Sequence, residues 1–193
     1  MNREALAQLF HSTNLVSLST ANTIADQFEH KQLLKNQYLL TAGKICDEYL
    51  FLEQGYMRAF AQNTAGEEVT TTFYVPGQMV FEVASFFNRT RSKENIQALT
   101  DCEGWFITFK QLNELFHTLP EFREFGRSVL VNSFASFKNR MLSAITETAE
   151  ERYLSLLKSN PEILQHAPLK HIASYLGITD TSLSRIRAAM SKK

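Results

Sequence analysis

The sequence is poor in cysteine, and the placement of its two cysteines excludes the usual cysteine-held metal centres. Cys46 and Cys102 lie far apart in a chain of 193 residues, without a short metal-type spacing. A zinc site or an iron–sulfur cluster held by cysteines needs more thiolates at closer spacing. We therefore predict no metal site, and we expect both thiols to be reduced, buried small side chains.

Long apolar runs and an excess of one charge are also missing. The chain has no stretch of about twenty apolar residues, and its first residues, MNREALAQLFHS, lack the apolar segment of a secretory signal. It balances 20 basic against 20 acidic residues and is 44% hydrophobic, which is typical of one large or two small globular domains. These features predict a cytoplasmic protein with no membrane partner.

Sequence signatures of catalysis are missing as well, since neither a nucleophile motif nor a glycine-rich phosphate loop occurs. One alternative is a metal-binding, cupin-like enzyme, which needs histidine and carboxylate ligands that converge from strands. The five histidines are predicted to lie essentially outside the strand region; they are His11, His30, His117, His166 and His171. The sequence therefore predicts that the protein is not an enzyme.

From about Leu33 to Phe109 short strand-favouring runs alternate with turn residues. The runs are QYLLTAGK, YLFLEQGYMRAFAQ, EEVTTTFYVPGQ and NIQALTDCEGWFITF. The sequence NTAG at residues 63–66 predicts a hairpin connection. Regularly spaced short strands predict an antiparallel barrel or roll rather than alternating strands and helices. Two helices, Asn2 to Phe10 and Thr20 to Glu29, are predicted before it.

A long helix is predicted after Pro120. Its apolar residues recur at steps of four, three, four and four, close to coiled-coil spacing; they are Leu130, Phe134, Phe137, Met141 and Ile145. This stripe either packs on the β domain of the same chain or pairs with a second copy. We favour the second interpretation, which predicts a homodimer with these five residues in its interface. A separate short helix is predicted over Thr148 to Leu157.

The C-terminal segment predicts two short helices around a tight turn. The apolar residues of the first helix share one face; they are Leu169, Ile172, Ala173 and Leu176. Gly177 can end this helix in the left-handed conformation, and Ile178 is expected to lie between the helices. Thr179 is placed to cap the second helix, and Asp180 complements the positive end of its dipole.

The second of these helices has a packing face and an outward face. Leu183, Ile186 and Met190 are predicted to pack, and Thr181, Ser184, Arg185 and Ala188 to face outward. From His166 onward five basic side chains stand against one acidic one, a net charge of +4, so the rest of this formally neutral chain carries −4. Such segregation favours contact of one end with phosphate and predicts a helix-turn-helix that binds double-stranded DNA. The alternatives are a surface hairpin, or an interaction scaffold that does not read DNA.

The order of these elements resembles that of the Crp/Fnr family of bacterial transcription regulators. The matching pieces are LLTAGKICDEYLFLEQGYMRAF, TAGEEVTTTFYVPGQ, EERYLSLL and IASYLGITDTSLSRIR. The resemblance implies an α+β fold: an N-terminal antiparallel β roll of the cyclic-nucleotide-binding type (a double-stranded β-helix), a long dimerisation helix and a C-terminal helix-turn-helix. The corresponding domains are residues 1–119, 120–147 and 148–193. It also implies a sequence-specific, homodimeric regulator with a small-molecule sensor domain.

The resemblance further implies an effector site in the family's phosphate-binding cassette. Glu82 would accept hydrogen bonds from a ribose hydroxyl, Arg91 would hold a cyclic phosphate, and Ser92 would add a hydroxyl. However, Phe81 stands where the family has glycine, and a side chain there would obstruct the ligand. The two charged residues after Ser92 also replace small apolar ones. Cyclic AMP or cyclic GMP, a different small ligand, and no ligand at all are the alternatives.

At the C-terminal end the resemblance implies that the helix from Asp180 to Met190 enters the major groove. Arg185 would read bases, since a guanidinium can donate to guanine O6 and N7 together. The other implied DNA contacts are Lys170, Thr179, Thr181, Ser182, Ser184 and Arg187, with Lys192 and Lys193 as further phosphate contacts. RNA polymerase is a further implied partner. The chain stops at Lys193 without the family's β-hairpin wing, so we expect a short form with more salt-sensitive binding per subunit.

Overall fold

A computed structural model of the chain describes residues 3–190. Two helices come first, α1 (Glu4–Ser12) and α2 (Leu18–Ala25). The strands that follow are β1 (Glu29–Leu33), β2 (Tyr38–Leu40), β3 (Glu48–Gln54), β4 (Met57–Gln62), β5 (Glu68–Tyr74), β6 (Met79–Val80), β7 (Asn95–Ala98) and β8 (Cys102–Thr108), with α3 (Val83–Asn88) between β6 and β7. The remaining helices are α4 (Phe109–Thr118), α5 (Pro120–Thr146), α6 (Ala149–Ser159), α7 (Ile163–His166), α8 (Leu169–Leu176) and α9 (Asp180–Met190).

The strands form two four-stranded antiparallel sheets that enclose one core. Their orders are β1-β8-β3-β6 and β2-β7-β4-β5. The predicted fold class is confirmed: an antiparallel β roll is followed by a long helix and then by a group of short C-terminal helices. The predicted hairpin between β4 and β5 is also confirmed, because the Asn63 N–H donates to the Glu67 carbonyl at 2.9 Å and the Gly66 N–H to the Asn63 carbonyl at 3.0 Å.

Close packing of β3 on β8 depends on one glycine. A Cβ atom on Gly104 would lie 2.1 Å from the carbonyl oxygen of Phe51, a distance no side chain tolerates. Helices then close the end of the roll, where the ring of Phe10 on α1 meets those of Phe122 and Phe125 on α5 at 5.4 and 5.0 Å. The first turns of α5 are therefore part of the core of the roll.

The structure corrects the prediction at the start of the roll. The second helix ends at Ala25, not Glu29, and Glu29 begins β1, which pairs with β8 along its whole length. Local propensity cannot reveal a pairing with a strand some 70 residues away, and here that pairing overrides it. His30 consequently lies within the roll, contrary to the prediction, and its Nε2 is 2.7 Å from Glu103 Oε1.

Two helices of the roll were not predicted, α3 and α4. Their N-termini are capped by side chains: Glu82 caps α3, and Thr108 with Gln111 forms a capping box on α4. The Thr-x-x-Gln spacing is a sequence signature of a helix start and could have revealed α4. Within the described chain, no helix is both long and apolar enough to cross a membrane.

A second, smaller core lies among the C-terminal helices. Its buried residues include Ile163, Ile172 and Leu183, together with Phe73 and Leu99 from the roll. The C-terminal helices therefore pack against the roll through apolar contacts.

Candidate nucleic-acid interface and effector cassette

The turn between α8 and α9 has the predicted geometry. Gly177 adopts a left-handed conformation with φ of +68°, and the Ile178 N–H donates to the Ala173 carbonyl at 3.0 Å. The Thr179 hydroxyl accepts the Ser182 N–H at 3.2 Å, which caps α9. Together these contacts fix how α9 leaves α8.

The inner face of this helix pair is apolar. Ile172, Ala173 and Leu183 are completely buried, and Leu176 is nearly so. Leu169 was predicted to join them but is exposed, because it is the first residue of α8 and helical side chains lean toward the N-terminus, past the end of the helix. The burial of Leu183 holds α9 in a fixed rotation about its axis.

The outer face of α9 is polar and exposed. Thr181, Ser184 and Arg185 are exposed on it, Ser182 is half-buried, and Arg187 is exposed nearer the packed side of the helix. Lys170 on α8 and Thr179 are exposed too, although the Thr179 hydroxyl is already engaged as a cap. Lys192 and Lys193 lie outside the described residues.

The apolar stripe of α5 lies uncovered in the single chain. Phe134, Phe137 and Ile145 expose 68, 63 and 74% of their surface, and Met141 is also exposed. Leu130 differs from the other four because it packs against the core of the roll. The stripe is therefore available to a partner from Phe134 onward.

In the cassette, the carboxylate of Glu82 is already hydrogen-bonded within the protein. It accepts the N–H of Ala84 at 3.0 Å and of Ser85 at 2.7 Å, at the start of α3. Free backbone N–H groups at a helix start are the donors that a phosphate would use. A phosphate at this helix start would have to displace Glu82.

The other two predicted effector residues are not arranged as a converging set. Ser92 is buried, and its hydroxyl donates to the Glu94 carbonyl at 2.8 Å and accepts the Glu94 N–H at 3.0 Å. Arg91 is exposed, and its contact with the roll is a backbone bridge to Ile45. Among residues 3–190 the side chains of Glu82, Arg91 and Ser92 do not hydrogen-bond one another.

The space under the cassette holds aromatic rings. Phe81 is buried, with its ring centroid 4.6 Å from that of Tyr49 and 5.6 Å from that of Phe86. The Tyr74 hydroxyl donates to the Phe81 carbonyl at 3.3 Å. Burial raises the pKa of both Tyr49 and Tyr74, so both are neutral phenols at any physiological pH. Phe81 thus fills, with an apolar ring, the position where a glycine would leave room.

The packing of α8 on β5 was not predicted. The Ser174 hydroxyl accepts the Thr70 N–H at 3.2 Å and donates to the Thr70 hydroxyl at 3.1 Å. The rings of Phe73 and Tyr175 meet at 5.0 Å. Because Thr70 and Ser174 are 104 residues apart, no local pattern could have brought them together.

Charged groups surround this junction. Arg58 on β4 is buried and donates to Glu68 Oε2 at 2.5 Å and to Gln97 Oε1 at 3.2 Å. His171 on α8 is buried beside them, with its Nε2 3.9 Å from Glu68 Oε2. Burial, followed by the nearby charges of Arg58 and Lys170, lowers the pKa of His171 to about 4. The ring is therefore neutral at pH 7.

Burial alone would raise the pKa of Glu68, but the hydrogen bond and charge of Arg58, with help from His171 and Lys170, outweigh it and lower that pKa. Over the described part of the chain, no three His, Cys, Asp or Glu side chains are grouped so that they could hold a metal ion. Burial raises the pKa of both cysteines, which favours the thiol over the metal-binding thiolate.

The roll matches the sequence model of a known domain family. Residues 30–118 match the cyclic nucleotide-binding domain. This range begins in β1 and ends with α4, so it covers the roll and the cassette but not α5 or the C-terminal helices.

Relatives that match most of the chain are regulators by name. The transcriptional activator protein Anr of Pseudomonas protegens is 24% identical over 91% of this chain and 75% of its own length. The anaerobic regulatory protein of Haemophilus influenzae is 23% identical over 84% of this chain. The chain spans 66% of the length of that second relative.

A solved structure has the same arrangement of elements. FixK2 from Bradyrhizobium japonicum superposes with a TM-score of 0.74 at 14% identity, covering 86% of this chain and 85% of FixK2. At this identity the likeness concerns the fold, and it includes the helices beyond the roll because so much of both chains is covered.

Proposed function

We propose that this chain is a transcription regulator of the Crp/Fnr type, which its matches to the cyclic nucleotide-binding domain and to named regulators support, and that it binds double-stranded DNA through α9. One observation carries the proposal. Leu183 is completely buried on one side of α9, and Arg185 is exposed on the other. The helix is thereby held with a polar, basic face outward, as insertion in a major groove requires.

The proposed roles differ along this surface. Arg185 reads a base, most simply guanine, with two parallel N–H donors. Lys170 and Arg187 hold phosphate and contribute no sequence preference. The hydroxyls of Thr181, Ser182 and Ser184 donate to phosphate or base edges, whereas Thr179 acts mainly as the cap of α9.

The active species in this proposal is a homodimer paired through α5. Its exposed stripe from Phe134 to Ile145 has the spacing of a helix that packs against a parallel copy. A two-fold dimer presents two copies of α9 and so selects an inverted repeat, with half-sites roughly 34–36 Å or a multiple of that apart. We also propose RNA polymerase as a partner, solely because the resemblance to the family implies it.

We propose that the roll does not use the family's usual cassette contacts to bind a cyclic nucleotide. Glu82 already occupies the N–H groups at the start of α3, and Phe81 fills the space beneath. An effector that binds elsewhere on the roll, or none, agrees better with these contacts than cyclic AMP or cyclic GMP does.

DNA binding is tested by titrating the full chain against fluorescent duplexes of random sequence at several salt concentrations. Wild type is expected to bind with an affinity that falls steeply as salt rises, because phosphate contacts release counterions. Arg187→Glu should weaken binding to every duplex and flatten the salt dependence. Lys44→Glu, an exposed change on the roll, is the matched control and should behave as wild type. Absence of salt-dependent binding by wild type would favour the interaction scaffold instead.

A further inference from the structure

The packing of α8 on β5 places a histidine where it lacks a hydrogen-bond partner. Both ring nitrogens of His171 are buried and, within residues 3–190, make no hydrogen bond. The nearest carboxylate oxygen, on Glu68, is 3.9 Å from Nε2, which is too long for a hydrogen bond. Burying a neutral imidazole without a hydrogen bond costs a moderate amount of free energy, whereas burying a charged imidazolium costs much more.

The charges around His171 come from all the elements that act on it. Arg58 on β4 and Lys170 on α8 oppose a positive ring, while Glu68 on β5 and Asp180 on α9 favour one. Glu68 is already engaged by Arg58 at 2.5 Å, so its charge is largely compensated. Burial and the two cations lower the pKa of His171 more than the two carboxylates raise it, so the ring is neutral while α8 is docked.

We propose that the docking of α8 on β5 requires an uncharged His171, so that mild acid releases the helix-turn-helix from the roll. His171 and Ser174 are in this sense positioning residues: they touch no DNA but set where α9 stands. The inference rests on contacts inside one chain and does not depend on DNA binding.

The direction of the pH effect follows from the two states of the ring. When α8 is docked the pKa is about 4, and when it is released we expect the ordinary value of about 6.5. Docking is therefore at full strength above about pH 6.5 and weakens as the pH falls toward 4. Between pH 7.5 and 5.5 the docking equilibrium constant should fall on the order of tenfold.

Hydrogen exchange of one backbone amide reports this contact directly. The Thr70 N–H donates to the Ser174 hydroxyl, across the junction, so it is protected only while α8 is docked. In the full chain, followed by NMR, its protection factor should fall about tenfold from pH 7.5 to 5.5. Amides of the β3–β8 pairing, inside the roll, serve as the internal reference and should not change.

Variants separate His171 from the other titrating groups. His171→Gln keeps a polar side chain that cannot be protonated, so Thr70 protection should become independent of pH. His117→Gln is the same change at an exposed site on α4 and should keep the wild-type profile. His166, whose ring stacks on that of Tyr56, is present in both variants. An equal loss of protection in His171→Gln, or a flat profile in wild type, would overturn the proposal.

A measurement on wild type alone tests the proposal even where the substitution at His171 itself prevents the docking of α8. The His171 ring signals of the docked chain should titrate well below pH 6.5, whereas Thr70 protection should already fall as the pH drops through about 6.5, because the released state takes up the proton first. If the ring instead becomes charged near pH 6.5 while Thr70 stays protected, an uncharged His171 is not required and the inference fails.

Discussion

Gly177 sets the angle between α8 and α9 through its backbone alone. Its φ of +68° suits glycine, and a Cβ atom there would meet no other atom within 4 Å. Gly177→Ala should therefore cost only conformational energy, about 1 kcal/mol of unfolding free energy. Denaturant unfolding followed by circular dichroism measures this.

The matched variant Gly177→Asn should cost clearly less, because asparagine enters the left-handed region more readily than alanine does. Equal losses for the two variants would mean that space, rather than backbone conformation, governs the position.

At the residue scale, local features of the site could be predicted and distant ones could not. The cap at Thr179, the turn at Gly177 and the outward direction of Arg185 each follow from neighbours within one or two turns. The bonds between Ser174 and Thr70, and the charge cluster at Arg58, join segments that are distant in sequence. Leu169 shows the limit of helical periodicity, which assigns a face but not the end of the helix that is left uncovered.

Among the elements, α5 offers the sharpest test of assembly. Phe134→Glu places a charge in the exposed stripe and should weaken the dimer by about 2 kcal/mol or more, since a buried charge without a partner is costly. Analytical ultracentrifugation should then detect monomer at concentrations where wild type is a dimer.

Asn139→Glu is the control for that experiment, because it adds the same charge to an exposed position on the opposite side of α5. A wild-type chain that sediments as a monomer at all concentrations would exclude α5 pairing altogether.

The cassette around α3 gives a second test at this scale. Isothermal calorimetry and thermal-shift measurements with cyclic AMP and with cyclic GMP are expected to show no binding. Glu82 already accepts the N–H groups at the start of α3, and the ring of Phe81 occupies the space under the cassette. Heat that disappears in Arg91→Ala would reverse this expectation and restore the assignment of Glu82, Arg91 and Ser92 as effector contacts. Lys93→Ala, a neighbouring exposed change, is the control.

The whole molecule combines a fold that patterns could predict with a docking that they could not. Turn residues and short alternating runs indicated the roll, and steps of three and four indicated α5, because these signals are local. The start of β1 and the packing of α8 on β5 depend on contacts between segments that are about 70 and 104 residues apart. The position of α9 relative to the roll, on which DNA spacing depends, is therefore a property of the folded chain alone.

Selection of bound sequences from a pool of random duplexes, with wild type and Arg185→Ala in parallel, tests DNA reading by α9 most directly. Wild type should enrich an inverted repeat with half-sites one or more helical turns apart. Arg185→Ala should still bind in a salt-dependent way but should lose about 1–3 kcal/mol of preference at one or two positions of each half-site. Identical enriched sequences from both proteins, or no enrichment by wild type, would contradict the assignment of α9 as the helix that reads DNA.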